Sequence, residues 1–293
     1  MKTKIWISFN ALPIPGGAAT ILEPARCGND VADVNDVPIL NQIFVHVKLD
    51  EYDERVAKLL TLLEKHGVEV DASTYVEYSE EDRQSARLLL MSADIKNSFH
   101  VSLRGGTKYD MSAACANCGA GAVQPSVLYV DGDYLSRIRK HRAIGSWQGH
   151  ILVDGGMVKK LKDARITGIS FGDVRARLRN DKWTSVARDQ ILIEHTMPPM
   201  RGELTADDEK YLCKVCRRGG RMDFPKQPYR EEDLAGMQDF NLTWEWFGEF
   251  WPEDKQRGEK RPSPYVLVTP KVMNIFREAG VKTFEWTPVG IER

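Results

Sequence analysis

Four of the five cysteines in this chain fall into two identical spacings, Cys115-x-x-Cys118 and Cys213-x-x-Cys216. Each C-x-x-C turn points two thiolates at one centre, and two such turns complete a tetrahedron of sulfurs. Zn²⁺ favours that arrangement because it is borderline-soft and has no d-electron geometry of its own. Gly119 follows the first pair and supplies a permissive backbone for the turn. After the second pair comes Arg217, and the glycines are delayed to Gly219 and Gly220. The two pairs are separated by residues 119–212, whereas a local zinc ribbon would use roughly 15–20 residues. A metal here would pin two distant parts of the chain together. The spacing therefore predicts one structural Zn²⁺ held by Cys115, Cys118, Cys213 and Cys216, with no open position for catalysis.

Other readings of the cysteines are disulfides, redox chemistry, an Fe–S cluster or bare thiols. Disulfides need an oxidising compartment. The opening Met-Lys-Thr-Lys-Ile-Trp-Ile has no apolar run long enough for a signal peptide, so a cytoplasmic location is expected. A redox C-x-x-C should open a helix after a strand, and one pair would suffice. Cys27 is unpaired and reads as a small buried apolar group. At 293 residues the chain is long enough for one large or two ordinary domains. Its net charge of −1 gives no global argument for nucleic acid or membrane. The balance is uneven, with 12 Lys+Arg against 17 Asp+Glu in residues 1–110 and 29 against 25 in the remainder.

In the first hundred residues, Lys4–Phe9 and Ile43–Lys48 alternate and read as strands. Residues 10–40 are rich in proline and glycine and read as a long irregular connection. Asp50 resembles an N-cap, with Asp53 three residues on. Val56, Leu59, Leu60 and Leu63 follow at helical spacing, and Gly67 closes that helix. Val68–Val70 reads as a short strand. Ser79-Glu80-Glu81-Asp82 reads as the capped start of a helix running to Leu90.

The cysteine half is organised around an internal repeat. Residues 151–174 and 266–289 align without a gap over 24 positions, of which 11 are apolar in both and four identical. Each copy parses as a short strand, a helix from Gly155 or Pro270, and a second strand. Asp154 and Thr269 occupy the N-cap positions, and Pro270 sits at N1. One knuckle precedes each copy. Units this short cannot bury an apolar face alone, so docking the pair under a metal clamp is a physical solution. The expected fold is α+β, with an N-terminal α+β domain at 1–110 and a zinc-clamped duplicated β-α-β domain at 111–293.

These motifs resemble a family. Cys115, Cys118 and Gly119, Cys213 and Cys216, and the stretches His150–Val174 and Tyr265–Val289 are similar to the double-CXXCG motif proteins, myxobacterial-type paralogues. The apolar signature of these stretches also resembles a group of polymorphic-toxin immunity proteins, as does Ser79–Asp82 leading into Ala86–Leu90. The resemblance covers roughly residues 75–289 through short motifs, and departs from the pattern at Arg217. It implies a cytoplasmic immunity protein that binds and sterically neutralises a cognate toxin protein. It implies no catalytic residue.

Two further constellations bear on partners. Trp244, Trp246, Phe247, Phe250 and Trp251 pack five aromatics into eight residues, either as core or as an interface ridge. Arg175, Arg177 and Arg179 alternate at period two, which on an edge strand puts three guanidinium groups on one face. Trp246, Trp251, Arg175, Arg177 and Arg179 are thus the candidate partner-binding residues. A zinc-ribbon-like nucleic-acid-binding protein using Arg217, Arg218, Arg221 and the Arg175–Arg179 face is the alternative, and an enzyme with an unrecognised site a further one. Near-zero net charge speaks against nucleic acid, whose binding rests on phosphate neutralisation. No H-E-x-x-H, nucleophile elbow or Walker loop occurs.

Overall fold

Alternation along the first strand puts Ile5, Ile7 and Phe9 on one face, and that face becomes a core wall. The computed structural model is mixed α+β with several sheets, and describes residues 1–99, 106–125, 127–146, 148–178, 182–249 and 262–292. The chain divides into two compact units, Met1–Asp82 and Arg83–Arg293. Among the described residues no helix is long and apolar enough to cross a membrane.

The first unit holds β1 (Lys2–Asn10), α1 (Ala19–Leu22), β2 (Ala32–Val37), β3 (Gln42–Asp50), α2 (Glu54–Lys65) and β4 (Val70–Glu77). Its strands form an antiparallel sheet in the order β2-β3-β1-β4. Ile7, Phe9, Val45, Val47 and Leu49 pack with Leu59 and Leu63 of α2, and Cys27 is buried in the same core. Burial pushes the Cys27 thiol above its ordinary range, in keeping with a small apolar filler. Two expectations are corrected. Residues 10–40, expected to be irregular, contain α1 and β2. The cap of α2 is Asp53, whose Oδ1 accepts from the Arg55 backbone N–H at 2.9 Å; Asp50 instead ends β3. Gly67 follows the helix with φ +63°, the left-handed C′ position expected of it.

The helix expected through Leu90 stops early, as α3 (Glu80–Ser85). Leu89–Ala93 is instead a strand, β5, drawn into a sheet of the second unit. Tertiary pairing overrides local helix propensity here. The same pairing places the division between units at Asp82/Arg83, upstream of the expected residue 110.

The second unit continues with β6 (Leu128–Asp131), α4 (Leu135–Lys140), β7 (Ala143–Gly145), β8 (Ile151–Val153), α5 (Gly155–Asp163), β9 (Ile169–Arg177) and β10 (Trp183–Ile193). After these come α6 (Ala206–Tyr211), β11 (Gly219–Arg221), β12 (Tyr229–Arg230), β13 (Phe240–Leu242) and β14 (Trp246–Phe247). The chain closes with β15 (Val266–Val268), α7 (Pro270–Glu278), β16 (Phe284–Pro288) and β17 (Ile291–Glu292). Both aligned segments have the expected strand–helix–strand order. Asp154 caps α5 by accepting from the Met157 N–H at 2.7 Å. Thr269 occupies the equivalent position, but its hydroxyl donates to Asp239 at 2.8 Å.

Cross-strand pairing is also repeated. The large sheets run β6-β9-β10-β8-β7 and β13-β15-β5-β16. In each, one antiparallel strand separates the two parallel strands of a repeat. Ile191 of β10 faces Ile151 and Phe171, and Met91 of β5 faces Val266 and Trp286. Those partners are matched pairs in the sequence alignment, so Met91 and Ile191 are equivalent positions. β5 precedes the first repeat in sequence yet completes the sheet of the second. One apolar core, with α5 and α7 contributing Met157, Leu161, Val272, Met273 and Phe276, serves both segments. Full burial of each such side chain is worth about 1.5–3 kcal/mol.

Candidate metal centre

Each knuckle is a short turn whose backbone N–H groups converge on sulfur. The Asn117 and Arg218 N–H groups donate to Cys115 Sγ and Cys216 Sγ, both at 3.4 Å. Gly119 N–H donates to the Cys115 carbonyl at 2.8 Å, and Arg217 N–H to the Cys213 carbonyl at 3.0 Å. The bond from the residue after the second cysteine back to the first cysteine's carbonyl is the same in both turns. Gly119 has φ +75° and Arg217 has φ +56°. The position after the second cysteine is left-handed in both, and Arg217 adopts in the second knuckle the conformation glycine has in the first.

The four Sγ atoms lie within 4.8 Å of one another. Cys115 and Cys213 sulfurs are 3.8 Å apart and those of Cys118 and Cys216 3.5 Å. A tetrahedron with metal–sulfur bonds of about 2.3 Å has edges of about 3.8 Å. Disulfide sulfurs would be about 2.05 Å apart. The cluster thus fits a metal ion, and the chemistry of the donor set is that of a soft or borderline cation. Cys118 and Cys213 are buried and the other two partly so. Burial pushes the Cys118 thiol far up, with the neighbouring sulfurs adding to it. At Cys213 burial also opposes ionisation, but the Cys216 N–H, the Asn117 amide and the Val215 N–H outweigh it and hold the thiol below its ordinary range. Asn117 Nδ2 stands 3.2 Å from Cys213 Sγ and so braces one knuckle against the other.

The surroundings explain why the chain turns here. Thr205 and Asp208 form a capping box at the start of α6, which leads directly into Cys213. Asp208 is fully buried, accepts from the Met222 N–H at 2.8 Å and pairs with Arg221 at 3.4 Å. Gly219 has no room for a side chain, because a Cβ would stand 2.5 Å from Cys118 Sγ. Strand β11 then pairs in parallel with β14, bringing Trp246 against the cysteines.

The candidate partner-binding residues separate. Trp246 is only 8% exposed and packs with the cysteines. It is a wall of the four-cysteine cluster, which is the core placement of the two that the sequence left open. Trp251 and Arg179 lie outside the described residues. Arg175 is exposed and Arg177 half-buried. They lie on β9, an inner strand between β6 and β10, not on the expected edge. Of the cations in the nucleic-acid reading, Arg221 is buried against Asp208. Arg218 donates to the Trp244 carbonyl at 3.0 Å and covers that indole ring.

Pairing supplies neighbours to Arg175 and Arg177 that sequence reasoning missed. Tyr129 stands opposite Arg175, and Trp183 opposite Arg177. The Tyr129 and Trp183 rings meet edge to face at 4.5 Å, and Trp183 is 42% exposed. No local signal joins residues 54 positions apart; only the β6–β9–β10 register does so. No family model matches the chain, and no curated protein matches it.

Proposed function

We propose that this is a cytoplasmic immunity protein that binds a toxin protein stoichiometrically, built on a fold that one structural Zn²⁺ holds together. The observation that carries this reading is the closed four-cysteine cluster. Four thiolates fill a tetrahedral ion completely, so the metal supplies folding energy and no open position for substrate. Thiols kept as metal ligands suit a reducing compartment. The resemblance to the double-CXXCG proteins supplies the partner class. The face formed by Tyr129, Arg175, Arg177 and Trp183 supports a binding role, since tyrosine, tryptophan and arginine dominate interface hot spots. Asp131 opposite Arg177 and Asp173 two residues before Arg175 give that face mixed charge, so the toxin surface it fits would carry both signs in complement.

Elemental analysis should find about one zinc per chain. On co-expression with the product of the adjacent gene, host protection should scale with the ratio of the two proteins and require a stable complex. Trp183→Ala combined with Arg177→Glu should weaken that complex by at least about 30-fold, about 2 kcal/mol, with zinc content unchanged. Rescue from a large excess of toxin by a trace of this protein would mean turnover and would overturn the binding reading. Of the knuckle cations in the nucleic-acid alternative, Arg221 is neutralised by Asp208 and Arg218 lies over Trp244, which leaves Arg217 as the exposed one.

A further inference from the structure

We infer that the second unit has a small-molecule site beside the cysteine cluster, shaped for a neutral planar compound carrying an N–H donor, such as a nucleobase or aromatic amide. This goes beyond the toxin-binding reading and does not rest on it. A cavity of about 620 Å³ opens there, lined by the apolar Leu192, Leu242 and Trp246 and by the polar Gln148, His150 and Gln190. That volume is typical of ligand pockets, which combine an apolar wall with a few convergent polar groups.

A hydrogen-bonded chain fixes the polar wall. Gln124 and Gln190 exchange reciprocal amide bonds at 2.8 and 3.0 Å. Gln190 Nε2 also lies 3.0 Å from His150 Nδ1. An amide nitrogen can only donate, so Nδ1 accepts and the imidazole proton sits on Nε2. Nε2 then donates to Tyr109 Oη at 2.9 Å. Gln190 is 3% exposed and has spent both amide hydrogens within this chain. Gln148 Oε1 is different: it lines the cavity, is buried, and has no hydrogen-bond partner among the described residues. Such an acceptor costs free energy until a donor reaches it.

The internal repeat supplies a comparison within the molecule. Gln190 pairs with Leu152 and Gly172, and its counterpart Leu90 pairs with Leu267 and Thr287. Ser146 N–H donates to the His150 carbonyl as Thr243 N–H donates to that of Tyr265, so Tyr265 is the counterpart of His150. Leu90 packs on an apolar core. Tyr265 stacks on Phe247 with ring centroids 4.1 Å apart. One repeat fills the position with apolar and aromatic groups. The other retains a buried glutamine, a histidine and open volume. Leucine is accommodated at this register, so the fold does not require the polar set, and a ligand accounts for it.

The ligand class follows from the wall. Arg218 is held on Trp244, and Glu194 at the rim is exposed. Among the described residues Arg218 is the one cation of the lining, partly buried and turned onto the Trp244 ring and carbonyl, and no fully buried charge faces the interior to compensate an ionic ligand, which favours a neutral one. The Trp246 ring gives a planar surface for stacking, and Gln148 Oε1 asks for an N–H.

Adenine, uracil and nicotinamide are suitable probes, titrated against the zinc-loaded full chain by saturation-transfer NMR. Toluene, which has no donor, and benzoate, which is charged, serve as counter-probes. At least one of the first three should bind with Kd about 1 mM or tighter, and tighter than both counter-probes. Gln148→Leu should weaken it about ten-fold or more. Val123 lines the cavity and is 60% exposed, so Val123→Trp should fold normally and block entry. The proposal is overturned if none of the three reaches that affinity, if toluene or benzoate binds as well, or if Val123→Trp with intact zinc and melting temperature binds like the parent.

Discussion

Arg217 occupies a conformation that costs an L-residue about 1–2 kcal/mol, and it does so where the first knuckle uses Gly119. The matched bonds to Cys115 and Cys213 carbonyls leave the second turn no other backbone path. Arg217→Gly should therefore be neutral or stabilising by up to about 1 kcal/mol, the relief of strain being partly offset by greater unfolded-chain entropy. Gly119→Ala should destabilise by about 1 kcal/mol. Urea midpoints on zinc-loaded protein check both, and a large loss in Arg217→Gly would show that the side chain itself has a role. The knuckle cysteines were legible in the sequence because two bonds along a short turn fix their geometry. Trp246 was not, since five clustered aromatics look alike until β11–β14 pairing buries it beside the four cysteines.

At the scale of elements, legibility followed the range of the interactions. α2, α5 and α7 were readable because helical spacing, and at α5 the Asp154 cap, act within a few residues. β5 was not, because its identity depends on pairing with β15 and β16 almost two hundred residues away. The cap of α2 makes a pH-dependent prediction. The Arg55 side chain and backbone N–H hold the Asp53 carboxylate, lowering its pKa to about 2. Its folded pKa thus lies below its unfolded value near 3.9. The stabilisation is complete above about pH 4 and is lost as pH falls through about 2. Asp53→Ala should cost the first unit about 1 kcal/mol at pH 7. This partly exposed ion pair adds little beyond the cap. Denaturant midpoints of mutant and parent should converge as pH falls towards 2; a constant gap would assign the loss to packing.

For the whole molecule, a metal held by the four cysteines and the apolar core would divide the work unequally. The first unit has its own apolar cluster and none of the four ligands. The second unit draws both knuckles, 98 residues apart, into one site, and its short strands depend on a core shared by two repeats. Apparent binding energies of structural zinc are about 10–16 kcal/mol, comparable to the whole stability of a domain at about 5–15 kcal/mol. Losing one thiolate should therefore unfold the second unit while the first persists. Cys213→Ser, or the parent treated with a strong chelator, should on brief trypsin digestion leave a resistant fragment ending near Asp82, the division between the units, and not near residue 110. Mass spectrometry of the fragment locates the cut, and circular dichroism should show helix and strand signal retained from the first unit alone. Loss of both units together would mean that they fold as one cooperative body. Survival of both would mean that the shared core, and not the ion, holds the second unit.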